Sequence, residues 1–149
     1  MSKTRGTINL YFPSKKDNWL ALIIWGVTLL MGWQMITYKS LVSYIIGLLI
    51  ICLLLWLWFG TGYKIEEGLI KIKSGPFRST VKINEIKRLN ATKNPLAGPA
   101  LSIDRIEIIH RKYDIAIVSP KNVAEFIRVL LTENQYIQVD NNLSNDKNN

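Results

Sequence analysis

Hydrophobic and polar positions divide this chain into pieces of different period. Between Asp17 and Lys64 the only charged residue is Lys39, whereas charges are dense on both sides of that window. Trp19–Tyr38 is a run of 20 uncharged residues and Leu41–Tyr63 is a run of 23. In a helix, about 20 residues cover roughly 30 Å, the thickness of a bilayer's hydrocarbon core. Trp19, Trp33 and Tyr38 lie near the ends of the first run, and Trp56, Trp58, Phe59 and Tyr63 lie towards the far end of the second. Such rings settle at membrane interfaces. The pattern predicts two hydrophobic membrane segments within 19–63, about 19–38 and 41–60, folded as a helical hairpin across Lys39-Ser40. A secretory signal peptide does not fit, because the apolar core is too long and no A-x-A-like cleavage site follows. A single span is the competing topology, with the first run in the interface or packed against protein, since it carries Thr28, Gln34 and Thr37.

From Tyr63 onward the period shortens to two. Leu69–Lys73 and Thr80–Ile83 alternate as half-buried strands do, bounded by the turn residues Glu66-Glu67-Gly68 and Ser74-Gly75-Pro76. Ile86–Thr92, Ser102–Ile109 and a short, well-buried Ile115–Val118 are the further expected strands. One helix follows. Ser119 is the expected N-cap, with Pro120 at the first helical position. Val123, Phe126, Ile127, Leu130 and Leu131 then form a single apolar stripe, with Lys121, Arg128 and Glu133 on the polar side. This order predicts a small α+β domain: an antiparallel curved sheet or barrel capped by one C-terminal helix. The expected organisation is a polar basic arm at 1–18, the membrane segments, a folded domain at 63–139, and a disordered Asn-rich tail at 140–149.

Charge changes the picture by suggesting a partner. The 149 residues carry a formal net charge of +8. The arm holds Lys3, Arg5, Lys15 and Lys16 against Asp17, and the segment from Thr61 to Asp140 holds 13 basic and 9 acidic residues. Beside a membrane segment, the anionic inner leaflet accounts for this balance at about 1 kcal/mol per basic residue near the surface. Lys15, Lys16, Lys64, Lys71 and Lys73 are the candidate membrane-surface cations. Lys71, Lys73, Arg78 and Lys82 lie on alternating expected strands, where some of them can share one outer face; that face is either turned to lipid phosphates or simply solvated. Tyr11-Phe12-Pro13, just before Lys15 and Lys16, also suits the interface; a loosely ordered terminus is the alternative. Nucleic acid is not an expected partner, because aromatic and basic residues do not interleave on the strands. Basic residues precede the first run and follow the second, which places both termini in the cytoplasm and the short turn outside.

Candidate chemistry is sparse. Cys52 is the only cysteine and His110 the only histidine, so an intramolecular disulfide is excluded and neither a His-based metal site nor a triad with Cys52 is expected. No P-loop, GxGxxG, HExxH or CxxC occurs. Glu66-Glu67 are adjacent and would point to opposite faces of a strand, so a solvated turn is expected there. Neither catalysis nor a cofactor is expected, and the sequence sets no oligomeric state. The most distinctive loop is Asn94–Pro99, shaped by two prolines and a glycine. Asn94, Pro95, Pro99, Asp104 and Arg105 are the candidate binding residues. The local alternative has Asn94 and Asp104 bonding the loop backbone and Arg105 pairing with Glu107 or Asp104.

The pattern resembles the bacterial pleckstrin-homology-like (PH-like) family of small membrane proteins. The resemblance rests on Tyr63-Lys64-Ile65, Leu69-Ile70-Lys71-Ile72, Gly75-Pro76-Phe77, Ile83-Asn84-Glu85-Ile86 and Thr92-Lys93-Asn94-Pro95-Leu96. It continues through Pro99-Ala100-Leu101-Ser102-Ile103-Asp104-Arg105-Ile106-Glu107-Ile108, Ile117-Val118-Ser119-Pro120-Lys121 and Phe126-Ile127. Within that family the whole chain looks like the sublancin-type bacteriocin immunity proteins of bacilli. What the resemblance implies is the PH-like fold, a cell-membrane location, and protection of a producer cell by binding a bacteriocin or its membrane target. The more general implication is a membrane-associated module docking a protein or an anionic lipid.

Overall fold

The chain is described from a computed structural model, which covers residues 9–94 and 102–145. A short strand, β1 (Asn9–Pro13), precedes two apolar helices. Helix α1 spans Asn18–Tyr38 and α2 spans Leu41–Phe59, each long and apolar enough to cross a membrane. Between them Lys39 turns the chain in the left-handed region at φ 40°. The helices touch where Gly47 meets Met35, whose sulfur would lie 3.0 Å from a Cβ added at Gly47. The hydroxyls of Thr28 and Thr37 donate to the carbonyls of Ile24 and Trp33, at 2.8 and 2.9 Å. Those polar side chains are thus satisfied within α1 and do not detract from its apolar character.

Two open four-stranded sheets follow, not a closed barrel. The first has the order β1-β2-β3-β4: Asn9–Pro13, Gly62–Glu66, Leu69–Ser74 and Phe77–Lys82, all antiparallel. The second has the order β7-β6-β5-β8: Asp114–Val118, Arg105–His110, Ile86–Thr92 and Gln138–Val139. Strand β8 runs parallel to β5, so that sheet is mixed. The β2–β3 hairpin turns at Glu67-Gly68, both at positive φ (52° and 73°), as a two-residue hairpin requires. A 3₁₀ turn at Ile83–Glu85 carries the chain between sheets.

The two sheets and α3 (Val123–Glu133) enclose one core. Ile65, Ile70, Val81, Leu89, Ile106, Ile108 and Val118 meet Phe126, Ile127 and Leu130 of the helix, so the expected apolar stripe faces inward. Burying each of these side chains contributes about 1.5–3 kcal/mol.

Four expectations change. The arm is not wholly separate: its residues 9–13 form an edge strand, and Phe12 is buried edge-to-face on Phe126 at 5.3 Å. Helix α3 begins at Val123 with Asn122 as its cap, not at Pro120. The backbone around Ser119 and Pro120 is instead engaged by β1's continuation: Lys15 N–H donates to Ser119 O (2.7 Å) and Lys121 N–H to Pro13 O (2.9 Å). That ladder keeps residues 119–121 extended, and Asn122 then accepts from Glu125 N–H. The tail is ordered as far as helix α4 (Asn141–Asn145), because Leu143 buries itself in the core. Strand β7 is less buried than its apolar run suggests, with Ile115 54% exposed.

Candidate functional site

Two concave surfaces gather the candidate residues. The larger is an open cleft of about 1190 Å³ between β1, the far end of β5, the start of β6 and the first turn of α3. Asp104, Arg105, Lys15 and Lys121 all line it. Its geometry is set by a clamp from the residues preceding α1. The Asp17 carboxylate accepts from Ile103 N–H at 2.8 Å and from the Ser102 hydroxyl at 2.9 Å, while Lys15 pairs with Asp104 at 2.6 Å. Arg105 is buried and its Nε donates to Ser102 O at 2.7 Å. Residues 102–105 are therefore fastened to the entry of the first apolar helix.

Electrostatics follow from those contacts. Burial works to raise the Asp17 pKa, but the bonds from Ile103 and Ser102, with Trp19 and Lys15, outweigh it and hold the carboxyl below its ordinary value. Burial likewise pulls the Arg105 guanidinium below its ordinary value, against the opposing pull of Tyr63 and Asp17.

Of the candidate binding residues, Asp104 and Arg105 share this cleft. Asn94 N–H bonds the Thr92 hydroxyl at 3.4 Å, a local turn contact. Pro95 and Pro99 lie outside the described residues. Glu107 accepts from Asn90 at 3.2 Å.

The second surface is a groove of about 450 Å³ where the outer face of the first sheet meets the end of α2. Phe59 and Gly60 close one side, and Tyr11, Lys64, Lys71, Lys73 and Arg78 line the rest. Strand register explains the gathering. Lys64 lies directly opposite Lys71, and Lys73 lies between Gly62 and Arg78 on the same face. Gly62 leaves room for the Tyr11 hydroxyl, which a side chain there would displace. Glu66 is not in a solvated turn. It sits in β2 and pairs with both Lys64 (3.1 Å) and Lys71 (3.0 Å). The bonds from Lys71 and Lys64 hold its carboxyl below the usual range. Lys16 lies over the rings of Trp58 and Phe59 at 4.9 and 5.3 Å, bracing the arm against α2.

Sequence reading gave Asp17 no role beyond its charge, and it gave Tyr11 and Phe59 only as interfacial rings. A signal for Tyr11 existed, since Leu10-Tyr11-Phe12 alternates as a short strand does. Asp17 had one too, standing where a helix N-cap belongs, although its carboxylate makes no capping bond and serves residues 102–103.

Two apolar helices joined to a pair of open sheets and a closing helix define a PH-like domain carried on a hydrophobic hairpin. The bacterial PH domain family model matches residues 61–134, which supports a bacterial PH-like fold for this part of the chain. The match leaves out β1, which the structure adds to the same sheet. No curated protein and no solved structure matches the chain.

Proposed function

We propose that this chain is a membrane-anchored, non-catalytic binding module that docks a partner at the inner surface of the membrane. Helices α1 and α2 form two spans with both termini cytoplasmic. The clamp of residues 15–17 on residues 102–105 carries this reading, because it holds the cleft within a few residues of where α1 enters the bilayer. The orientation is supported by charge: Lys15 and Lys16 precede α1 and Lys64, Lys71, Lys73 and Arg78 follow α2, against Lys39 alone in the turn.

The specific role proposed is immunity to a sublancin-type bacteriocin, exerted by binding the bacteriocin or its membrane target. It is supported by the resemblance of the run from Asn94 to Ile108, of which Asp104 and Arg105 line the cleft. With the domain inside the cell, the toxin itself is met only by the outer turn at Tyr38-Lys39-Ser40, so the cleft acts on the target. Expression of the full chain in a sensitive strain is expected to raise bacteriocin tolerance, and Asp104→Lys, which puts like charge against Lys15, to reduce that gain. Unchanged sensitivity with the wild-type chain would sink the immunity role and leave a general module docking a protein or an anionic lipid.

A further inference from the structure

The cations on the outer face of the first sheet fall into two kinds. Lys64 and Lys71 are both paired with the one carboxylate of Glu66, which cancels one of their two charges. Lys73 and Arg78 are not: they face each other directly across β3 and β4, and neither has an acidic partner among the described residues. Like charges opposite one another on a sheet destabilise it. Here that pair is retained at the point of the sheet nearest the end of α2, in a groove walled by the Phe59 ring. The β3–β4 turn itself rests on that helix end, with Gly75 N–H donating to Gly60 O at 3.3 Å and Leu57 packed against Gly75. The Tyr11 hydroxyl, held over Gly62, adds an uncharged hydrogen-bonding group to the same groove.

We infer that this groove is a discrete site for the phosphate headgroup of an anionic phospholipid from the inner leaflet. Lys73 and Arg78 hold the phosphate, Tyr11 donates to it, and Phe59 lies along the upper acyl chain. The occupant follows from position and charge. If α2 spans the bilayer, as the reading above has it, its C-terminal end meets lipid headgroups at the depth of the groove. A headgroup phosphate supplies the negative charge that the Lys73–Arg78 pair lacks. Arginine suits this role because its planar fork engages two phosphate oxygens together. Glu66 sharpens the site by cancelling one of the two neighbouring lysine charges, which leaves the Lys73–Arg78 pair as the larger unpaired charge in the groove.

The test uses the full-length protein in a neutral detergent, titrated with phosphatidylglycerol, phosphatidylcholine or inorganic phosphate and read by native mass spectrometry. The wild type is expected to retain one phosphatidylglycerol in preference to phosphatidylcholine, and more weakly as salt rises. Lys73→Gln with Arg78→Gln should weaken that binding about tenfold, equivalent to about 1.4 kcal/mol. Lys64→Gln with Glu66→Gln, which removes one charge of each sign, should change it less than about twofold. If the Lys73/Arg78 double variant melts early, Arg78→Gln alone, on an exposed strand face, carries the same comparison. Equal retention of the two lipids, equal losses in both double variants, or saturation by inorganic phosphate that displaces the lipid would each overturn the site. Such a failure is separable from failure of the anchored topology, which labelling of the outer turn in intact cells reads independently.

Discussion

Removing the Phe12 ring tests whether the N-terminal strand belongs to the folded domain. The ring is 4% exposed and stacks edge-to-face on Phe126 at 88°. Truncating a buried Phe to Ala costs about 3–5 kcal/mol, through lost transfer energy and the cavity left behind. Phe12 also lines the open cleft, so water can enter the space and relieve part of the cavity cost. The expected loss is therefore at the lower end, about 3 kcal/mol, and includes about 0.5–1.5 kcal/mol for the aromatic pair. For a domain of this size each kcal/mol moves the melting temperature by about 4–8 °C, which gives a fall of about 12–24 °C. Melting of the detergent-solubilised full chain, followed by the strand signal in far-ultraviolet circular dichroism, measures it. All five tryptophans lie in α1 and α2, so their fluorescence reports the hairpin separately and should not change. Tyr11→Ala is the control, since that neighbouring side chain is 64% exposed. Equal melting temperatures for Phe12→Ala and the control would refute the placement of β1 in the domain.

Other perturbations probe the clamp, the buried hydroxyl and the tail. Asp17→Asn should destabilise residues 102–105, read as faster amide exchange at Ile103. Because the Asp17 pKa is lowered on folding from 3.8, its contribution is complete above about pH 4 and is lost as pH falls through the lowered value; the gap between wild type and variant should be constant near pH 7 and close in acid. Tyr63→Phe removes the oxygen that accepts Ser119 N–H at 2.9 Å, leaving that buried donor unsatisfied at a cost of about 1–3 kcal/mol by thermal melting. Leu143→Ala should cost about 2 kcal/mol although it lies in the Asn-rich tail, whereas Asn142→Ala should cost almost nothing.

What could be read from the sequence was whatever repeats with a fixed period over enough residues. The two apolar runs, the alternation of Leu69–Lys73 and the stripe from Val123 to Leu131 each became the element their spacing demanded. What escaped depends on contacts between distant residues. Asn9–Pro13 is a strand only because β2 offers it a distant edge, with Asn9 opposite Glu66 and Pro13 opposite Gly62. Ser119-Pro120 has every local mark of a helix start, yet tertiary bonds from Lys15 and to Pro13 keep it extended. Leu143 sits in a polar tail whose composition favours disorder, and one buried side chain with a two-residue parallel strand is enough to order it. The candidate site divides in the same way. Lys64, Lys71 and Lys73 were visible as an alternating basic row, but that Glu66 pairs with two of them and leaves Lys73 facing Arg78 follows only from register.

The most direct test of a membrane-anchored domain facing the cytoplasm is cysteine labelling in intact cells. Cys52 is the only cysteine and Cys52→Ser clears the background; Lys39→Cys then probes the turn between the helices, and Tyr136→Cys, at a position 92% exposed on the domain, probes the far side. With a membrane-impermeant maleimide, Lys39→Cys is expected to react in intact cells and Tyr136→Cys only after permeabilisation. Reaction at Tyr136→Cys in intact cells, or none at Lys39→Cys, would contradict the account.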